Sequence, residues 1–169
     1  METQNNALQN GFFLLPGATS PSIQPLETMG VHLLYKAGRA DTDGQWSLLE
    51  YLSPPSFRGV PPHWHKETIE AFYILEGRLA VNMGDQAIEA GTGSFVMIPR
   101  RVVHSWHNPV VEPTKFLVLT SPGGFEHYME ELIDWMGQEP TWPPSDMSKY
   151  VALGEKHDTF APPAPADKS

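Results

Sequence analysis

Cysteine is absent from the 169-residue chain. Disulfide bonds and thiolate metal ligands are therefore excluded, so any bound metal must be held by histidine and carboxylate side chains. A chain without disulfides is typical of a reducing compartment, and we expect a cytoplasmic location.

Long apolar segments and clusters of basic residues are lacking as well. The apolar run from Phe12 to Leu15 is interrupted by Pro16 and Gly17, and no positively charged leader precedes it. The chain thus predicts neither a secretory signal nor a membrane-spanning segment. Its formal net charge of -9 argues against nucleic acids and anionic lipid surfaces as partners, since both are bound through basic patches.

Short β-rich runs dominate the middle of the chain, which is long enough for one domain. Residues 1–30 are polar or punctuated by proline without a sustained period, which predicts an extended N-terminal arm. In residues 31–121, turn signals such as Asp43-Gly44 and Gly84-Asp85 separate the runs and predict an all-β sandwich or jelly roll. The predicted strands are Val31 to Tyr35, Trp46 to Leu52, Ala71 to Leu75, Leu79 to Met83, Phe95 to Ile98, Val102 to Trp106 and Phe116 to Thr120.

The pattern changes after Pro122. Apolar residues from Phe125 to Met136 are spaced for one helical face, and Gly137 is predicted to cap this helix. We assign residues 122–160 to a C-terminal helix and extension, and residues 161–169, which are rich in proline and alanine, to a flexible tail.

Four residues have the types and spacing of a metal site. The imidazoles of His63 and His65, two positions apart, point to the same face of an extended strand and can reach one ion. Glu70 follows after four intervening residues and adds an oxygen donor, and His104 is a further candidate downstream. Mixed nitrogen and oxygen donors suit a first-row transition metal.

Two stretches carry a specific family resemblance. The sequence from Gly59 to Gly77 resembles the first motif of the cupin family, and the sequence from Gly93 to Asn108 resembles the second. The resemblance covers roughly residues 31–120 and implies a cupin double-stranded β-helix, which is a jelly-roll barrel. It also implies the metal ligands, which by position in the two motifs are His63, His65, Glu70 and His104.

The motifs also contain departures and competing residues. Phe57 stands where the first motif usually opens with glycine, and Arg101 stands where the second usually has glycine. Arg101 either occupies a left-handed turn, at a cost of order 1 kcal/mol, or the loop bends differently there. Glu67 is the other glutamate near the two histidines that could be the carboxylate ligand. The motif spacing favours Glu70, and we interpret Glu67 as a solvated turn residue. The remaining histidines are interpreted as surface or hydrogen-bonded side chains, namely His32, His107, His127 and His157.

A second, weaker resemblance concerns function. The sequence Ser-Pro-Gly-Gly-Phe-Glu at residues 121–126, followed by a helix, is similar to the tail of quercetin dioxygenase-like single-domain cupins. This similarity implies a metal-dependent dioxygenase that cleaves a small aromatic or enolic substrate such as a flavonol, with dioxygen as co-substrate. It implies one divalent transition metal per chain (Ni, Mn, Fe, Co, Cu or Zn), with Glu70 as a ligand that also acts as general base.

Other functions fit the same residues. One alternative is an isomerase, lyase or decarboxylase that uses the metal as a Lewis acid on an enolisable small molecule. Another is a non-catalytic cupin that binds a small ligand. Oxygen consumption separates the first alternative from the dioxygenase, and the complete ligand set argues against the second.

Strand parity predicts the surroundings of the site. Phe72 and Ile74 share the inward side with Glu70, and Trp106 shares it with His104, so these three residues serve either as walls of a substrate pocket or as plain barrel core. Trp64 faces away from the ligands. Residues 53–62 and the arm near Phe12 are candidate covers of the barrel mouth. Because exposed edge strands are commonly paired, and the arm offers a strand to exchange, we predict a homodimer.

Overall fold

The computed structural model describes residues 11–163, which form eleven strands and two α-helices within that range. The strands are β1 (Leu26–Thr28), β2 (Val31–Ala37), β3 (Ser47–Ser53), β4 (Val60–His65), β5 (Ile69–Glu76), β6 (Arg78–Met83), β7 (Gln86–Gly91), β8 (Phe95–Ile98), β9 (His104–His107), β10 (Thr114–Ser121) and β11 (Thr159–Phe160). The helices are α1 (Phe125–Gln138) and α2 (Ser148–Lys156), and a short 3-10 turn covers Arg39–Asp41.

Two antiparallel sheets face each other. The six-stranded sheet has the order β1-β2-β3-β10-β5-β8, and the five-stranded sheet has the order β11-β4-β9-β6-β7. Neighbours such as β3 and β10 are far apart in sequence, as expected for a jelly roll. The predicted all-β, double-sheet fold class is confirmed.

The strands form where alternate side chains can be buried. Every second residue of β3 is buried, from Ser47 to Ser53, and β2 has the same alternation. These inward side chains meet in one core between the sheets. There the Tyr51 and Phe116 rings stack with their centroids 5.0 Å apart, and Trp106 contacts Tyr51 edge-on with a centroid distance of 4.9 Å. All seven strands predicted from the sequence lie wholly or largely in observed strands.

Part of the N-terminal arm lies along the six-stranded sheet. The Ser20 amide donates a hydrogen bond to the Tyr35 carbonyl oxygen on β2, and the Ile23 side chain is buried in the core. β1 follows and pairs with β2. Residues 1–10 of the predicted arm lie outside the described residues.

Helix α1 begins at Phe125 as the apolar spacing predicts, but its predicted cap is wrong. Gly137 lies inside the helix, which ends after Gln138, and Glu139 adopts an extended conformation with ψ 133. The reason is that Glu139 precedes Pro140, and a residue before proline is pushed out of the helical region. None of the helices in residues 11–163 is long and apolar enough to cross a membrane.

The C-terminal extension contains more regular structure than the sequence predicts. Helix α2 packs against α1 through an apolar cluster that includes Leu132, Trp135 and Leu153. Strand β11 then pairs with β4, and Ala161, at the start of the predicted flexible tail, accepts a hydrogen bond from Trp64 Nε1. Residues 164–169 of that tail lie outside the described residues.

Candidate metal centre

The structure brings the four predicted ligands together between the two sheets. His63 and His65 lie on β4, and His104 lies opposite His63 on the neighbouring strand β9. Glu70 reaches across from β5 of the other sheet. One ligand atom from each of the four residues lies within 4.8 Å of all the others, with His65, Glu70 and His104 buried.

Each imidazole is oriented by a backbone carbonyl group. The Nδ1 atom of His63 lies 2.9 Å from the Pro61 oxygen, that of His65 2.9 Å from the Asp158 oxygen, and that of His104 3.0 Å from the Val102 oxygen. A carbonyl oxygen only accepts hydrogen bonds, so each Nδ1 carries the hydrogen. In the neutral rings Nε2 then has a free lone pair, as metal-binding histidines require.

The donor set at the centre fits a divalent cation. Glu70 Oε2 lies 2.9 Å from His104 Nε2 and 3.5 Å from His65 Nε2. The buried His65 Nε2 atom makes no hydrogen bond to any of the described residues. With hydrogens on Nδ1, these nitrogen atoms and the carboxylate all present lone pairs to one another. Either added protons or a shared cation resolves that arrangement, and three nitrogen atoms with one oxygen suit a first-row ion.

The electrostatics of the cluster keep Glu70 ionised and His63 neutral. Burial alone would raise the pKa of the Glu70 carboxyl group, but contact with His104 and His65, when these rings also carry a proton on Nε2, outweighs burial and holds the pKa well below its ordinary value. Burial, followed by the nearby His104, lowers the pKa of His63 to about 4. Burial also opposes the charged form of His65, but its contact with Glu70 raises the net pKa.

Two tight turns hold the ligand strands in register. Arg101 has a left-handed φ of 66, as one of the two sequence-based alternatives expected, and its amide donates to the His65 carbonyl oxygen at 2.7 Å. Gly59, with φ 77, precedes β4 and lies directly against the Trp106 backbone of β9. Both turns therefore fix β4, which carries two ligands, relative to β9, which carries a third.

Two cavities adjoin the cluster. A mostly apolar cavity of about 90 Å³ is lined by His63, Glu70 and Trp106 together with residues of α1 and α2. A larger cleft of about 380 Å³, lined mainly by polar residues, reaches His65 and Thr120. Phe125 at the start of α1 lines both spaces. The cluster therefore borders two cavities that differ in size and in lining residues.

The three residues predicted as pocket walls or barrel core differ in their position relative to the apolar cavity. Trp106 lines the apolar cavity beside the cluster, whereas Phe72 and Ile74 are fully buried in the barrel core and do not line it. They share the inward face with Glu70, but they lie two and four residues further along β5, away from the cavity. Strand parity correctly gives the side to which they point and does not give their depth in the barrel.

The cavity is covered by the C-terminal helices. Tyr128, Met129 and Leu132 of α1 and Tyr150 of α2 line it, and we call these four residues the roof. Neither the arm near Phe12 nor most of residues 53–62 contributes, so those expected covers are not the ones observed over this cavity. The sequence predicts the apolar face of α1, but it does not identify the surface against which this face packs.

The other candidates remain outside the cluster. His107 is exposed on β9, and Glu67 is exposed in the turn between β4 and β5. Trp64 points away from the ligands, as predicted, and stacks on Phe160 at 4.8 Å. Thr120 lies opposite Glu70 on β10, and its buried hydroxyl oxygen has no hydrogen-bond partner in residues 11–163. Thr120 is a polar group of the site that the sequence analysis missed.

Comparison with known proteins agrees with this geometry. A family model described as Cupin domain matches residues 50–120, which include all four clustered residues. Residues 50–120 are thus similar to a cupin domain. The chain is 32% identical over 98 residues to quercetin 2,3-dioxygenase of Bacillus subtilis, a match that covers 58% of the chain and 28% of that relative. The chain thus corresponds to well under half the length of that enzyme.

Solved structures support the same fold for this protein. A structure described as a predicted oxalate decarboxylase from Thermotoga maritima superposes with a TM-score of 0.55 at 18% identity, over 62% of this chain and 97% of that one. The Cnp3 cupin domain of Schizosaccharomyces pombe superposes with a TM-score of 0.51 at 14% identity, over 73% of this chain and 81% of that one. At these identities the similarity concerns the fold alone.

Proposed function

We propose that this protein is a metal-dependent dioxygenase of the quercetin 2,3-dioxygenase-like type, which oxidatively cleaves a small aromatic or enolic substrate such as a flavonol. The observation that carries this proposal is the convergence of three oriented imidazoles and a buried carboxylate on one point. The similarity to the Bacillus subtilis enzyme over 98 residues supports the reaction class.

In this proposal His63, His65, Glu70 and His104 hold one divalent ion per chain. Nickel, manganese, iron, cobalt, copper and zinc all accept such ligands, so the donor set does not select among them. Such an ion, when bound, would supply Lewis-acid chemistry that lowers the pKa of a phenol or enol hydroxyl group of the substrate. The protein supplies the orientation of the ligands and the exclusion of water.

Glu70 is proposed to accept the proton of that hydroxyl group. Its low pKa keeps the carboxylate ionised at neutral pH and favours its role as a ligand. The same low pKa makes it a weak base while His104 and His65 contact it. Glu70 therefore becomes a better proton acceptor when it moves away from these two rings, which links proton transfer to loosening of its contact with the centre.

Access to the centre through the apolar cavity depends on the roof. Pockets for drug-sized molecules usually measure about 300 Å³ or more, whereas the apolar cavity measures about 90 Å³. A flavonol that binds in this apolar cavity therefore requires the roof helices to move outward. Once they do, the Tyr51 and Trp106 rings beside Glu70 offer flat apolar walls to a planar substrate.

Elemental analysis and oxygen uptake test the proposal together. We expect purified protein to contain about one divalent transition-metal ion per chain and to consume oxygen with at least one member of a panel of flavonols and other enolic compounds. His63→Ala, His65→Ala and His104→Ala should each lose the metal. His107→Ala, which removes an exposed imidazole from β9, is the matched control and should retain it.

Glu70→Gln tests the proton-transfer step. The amide cannot take up the substrate proton, so oxygen uptake should fall by about 100-fold or more, as expected from the contribution of general base catalysis. Measurements are made at saturating metal to separate this effect from weaker metal binding. Undiminished oxygen uptake by the metal-loaded variant would refute the role of Glu70 as base.

The small size of the apolar cavity favours a second candidate function, that of a lyase, decarboxylase or isomerase. A space of about 90 Å³ suits a small enolisable acid better than a flavonol. The same centre could then serve a lyase, decarboxylase or isomerase, in which the ion polarises the substrate and no oxygen is consumed. Turnover of a small enolisable acid under anaerobic conditions would establish this alternative and exclude the dioxygenase.

We also propose a cytoplasmic homodimer. The outer face of the six-stranded sheet exposes Tyr73, Phe95 and Met97 on the neighbouring strands β5 and β8, and β8 is an edge strand. An apolar patch at a sheet edge is suited to a second copy of the chain. Sedimentation should show a dimer that Phe95→Ser weakens, and a monomer at micromolar concentration would contradict the proposal.

A further inference from the structure

We propose that Asp158 is a positioning residue of the metal centre, through which the C-terminal segment sets the orientation of His65 and the turn between His65 and Glu70. The proposal rests on the metal centre described above and adds a residue that lies outside both sequence motifs. Asp158 is 88 residues beyond Glu70 in the chain.

The Asp158 carboxylate binds the whole turn between two ligands. Strand β4 ends at His65 and β5 begins at Ile69, and the residues between them are 66–68. Asp158 Oδ1 accepts the Lys66 amide at 3.0 Å, and Oδ2 accepts the Glu67 amide at 2.9 Å and the Thr68 amide at 2.8 Å. The Thr68 hydroxyl group adds a contact of 2.7 Å. These bonds fix the path of the chain from His65 to Glu70.

The backbone of Asp158 binds His65 itself. The Asp158 carbonyl oxygen accepts the Nδ1 hydrogen of His65 at 2.9 Å, and the next residue, Thr159, pairs with His65 in the β11–β4 ladder. This contact selects the tautomer that leaves Nε2 free for a metal. Partners of this kind orient metal-binding histidines, and their removal typically weakens metal binding by about 10- to 100-fold.

The conformation of Asp158 allows one residue to make both sets of contacts. Its φ of 60 is left-handed, and its amide donates to the Glu155 carbonyl oxygen at the end of α2. The chain therefore turns sharply from α2 into β11, so the carbonyl group faces His65 while the carboxylate faces the turn. Aspartate and asparagine tolerate this conformation better than most residues with a side chain, and glycine adopts it freely.

No basic side chain is needed to compensate the Asp158 charge. Three backbone amides and one hydroxyl group surround the carboxylate, and no ion pair of Asp158 is found in the described part of the chain. A carboxylate that accepts several amide hydrogen bonds is strongly held, because each of these bonds is charge-assisted. The residue is therefore suited to fix a turn.

Metal affinity tests this role. Asp158→Gly removes the carboxylate without creating left-handed strain and should weaken Zn²⁺ binding by roughly 10- to 100-fold in a chelator competition titration. Asp158→Asn keeps one acceptor oxygen and should have a smaller effect, of less than about 10-fold. NMR of the metal-free protein provides the second readout. Asp158→Gly keeps the carbonyl oxygen that accepts the His65 Nδ1 hydrogen, but release of the turn should weaken this hydrogen bond, shift the His65 Nδ1 proton and speed its exchange.

Asp41→Asn and Asp41→Gly are matched controls. Asp41 also holds a loop with its carboxylate, since it accepts hydrogen bonds from the Ser20 hydroxyl at 2.7 Å and the Gly38 amide at 2.9 Å, but it contacts no residue of the cluster. These variants should lose stability without a change in Zn²⁺ affinity or in the His65 signal. Equal effects of the Asp41 and Asp158 variants would reduce Asp158 to general stabilisation and overturn the proposal.

The remaining outcomes separate this inference from the proposed function. If wild-type protein binds Zn²⁺ and folded Asp158→Gly binds it equally well, the positioning role is wrong and the metal centre stands. If wild-type protein binds no metal, the proposed centre is wrong, and an unchanged His65 signal in Asp158→Gly then also removes the positioning role. If Asp158→Gly does not fold, the same measurements on Asp158→Asn decide between these results.

Discussion

Replacement of Gly59 by alanine should disrupt both the barrel and the metal centre. Gly59 has φ 77, which disfavours any residue with a side chain. A Cβ atom at this position would overlap the Trp106 carbonyl oxygen and lie 2.7 Å from His107 Cα. Because both groups belong to the backbone of β9, no side-chain rotation can relieve the overlap.

The expected magnitude follows from these two contributions. Left-handed backbone strain costs about 1 kcal/mol, and overpacking against a rigid neighbour adds about 1–3 kcal/mol or more. Gly59→Ala should therefore lower the free energy of unfolding by about 3 kcal/mol. Since Val60 pairs with Trp106 and His63 with His104, separation of β4 from β9 also moves two proposed ligands apart and should weaken metal binding.

Gly93→Ala is the matched control in urea unfolding experiments. Gly93 has φ 84, but an added Cβ atom would have no neighbour within 4 Å. This variant should lose only the strain contribution of about 1 kcal/mol and keep its metal content. Equal destabilisation by the two substitutions would show that the close approach of Gly59 to β9 has no energetic consequence and would refute the reasoning.

Two further predictions concern buried ionisable groups. In metal-free protein, NMR titration should give His63 a pKa of about 4. Because this pKa is depressed in the folded state, the contribution of neutral His63 to stability is present above about pH 6.5 and is lost as the pH falls toward 4. An ordinary His63 titration would contradict this. Glu126→Gln should cost about 1–3 kcal/mol in urea unfolding, because the buried carboxylate accepts both the Ser47 hydroxyl at 2.7 Å and the Arg39 amide. A loss below about 0.5 kcal/mol would show that these bonds are replaceable.

The strands and the ligand cluster could be predicted because their signals are local. Short runs of β-branched, aromatic and other apolar residues between turn signals predict the strands, and the two-residue spacing of His63 and His65 fixes their common face. Strand β4 has little intrinsic strand propensity, since it contains Pro61 and Pro62, but the histidine spacing within it still indicated an extended chain. The resemblance to two cupin motifs then supplied the fold and His104.

The surroundings of the cluster could not be predicted because they depend on distant pairings. Strand β11 has two residues, too few for any period, and its partner His65 lies 94 positions away from Thr159. Asp158 alone resembles a solvated surface charge, and nothing near it in sequence indicates the turn that it holds. The face of α1 that carries Tyr128 is visibly apolar, but periodicity does not identify the surface on which a helix packs.

The segment that covers the apolar cavity continues directly into the segment that holds His65. Tyr150 of the roof lies on α2, which ends at Lys156, and Asp158 and β11 follow immediately along β4. Outward displacement of α2 therefore pulls on the same hydrogen bonds that orient a proposed ligand. A cation that fixes His65 therefore raises the free energy of the state in which α2 is displaced. By thermodynamic reciprocity, a large ligand in the apolar cavity that displaces α2 weakens cation binding to the same degree.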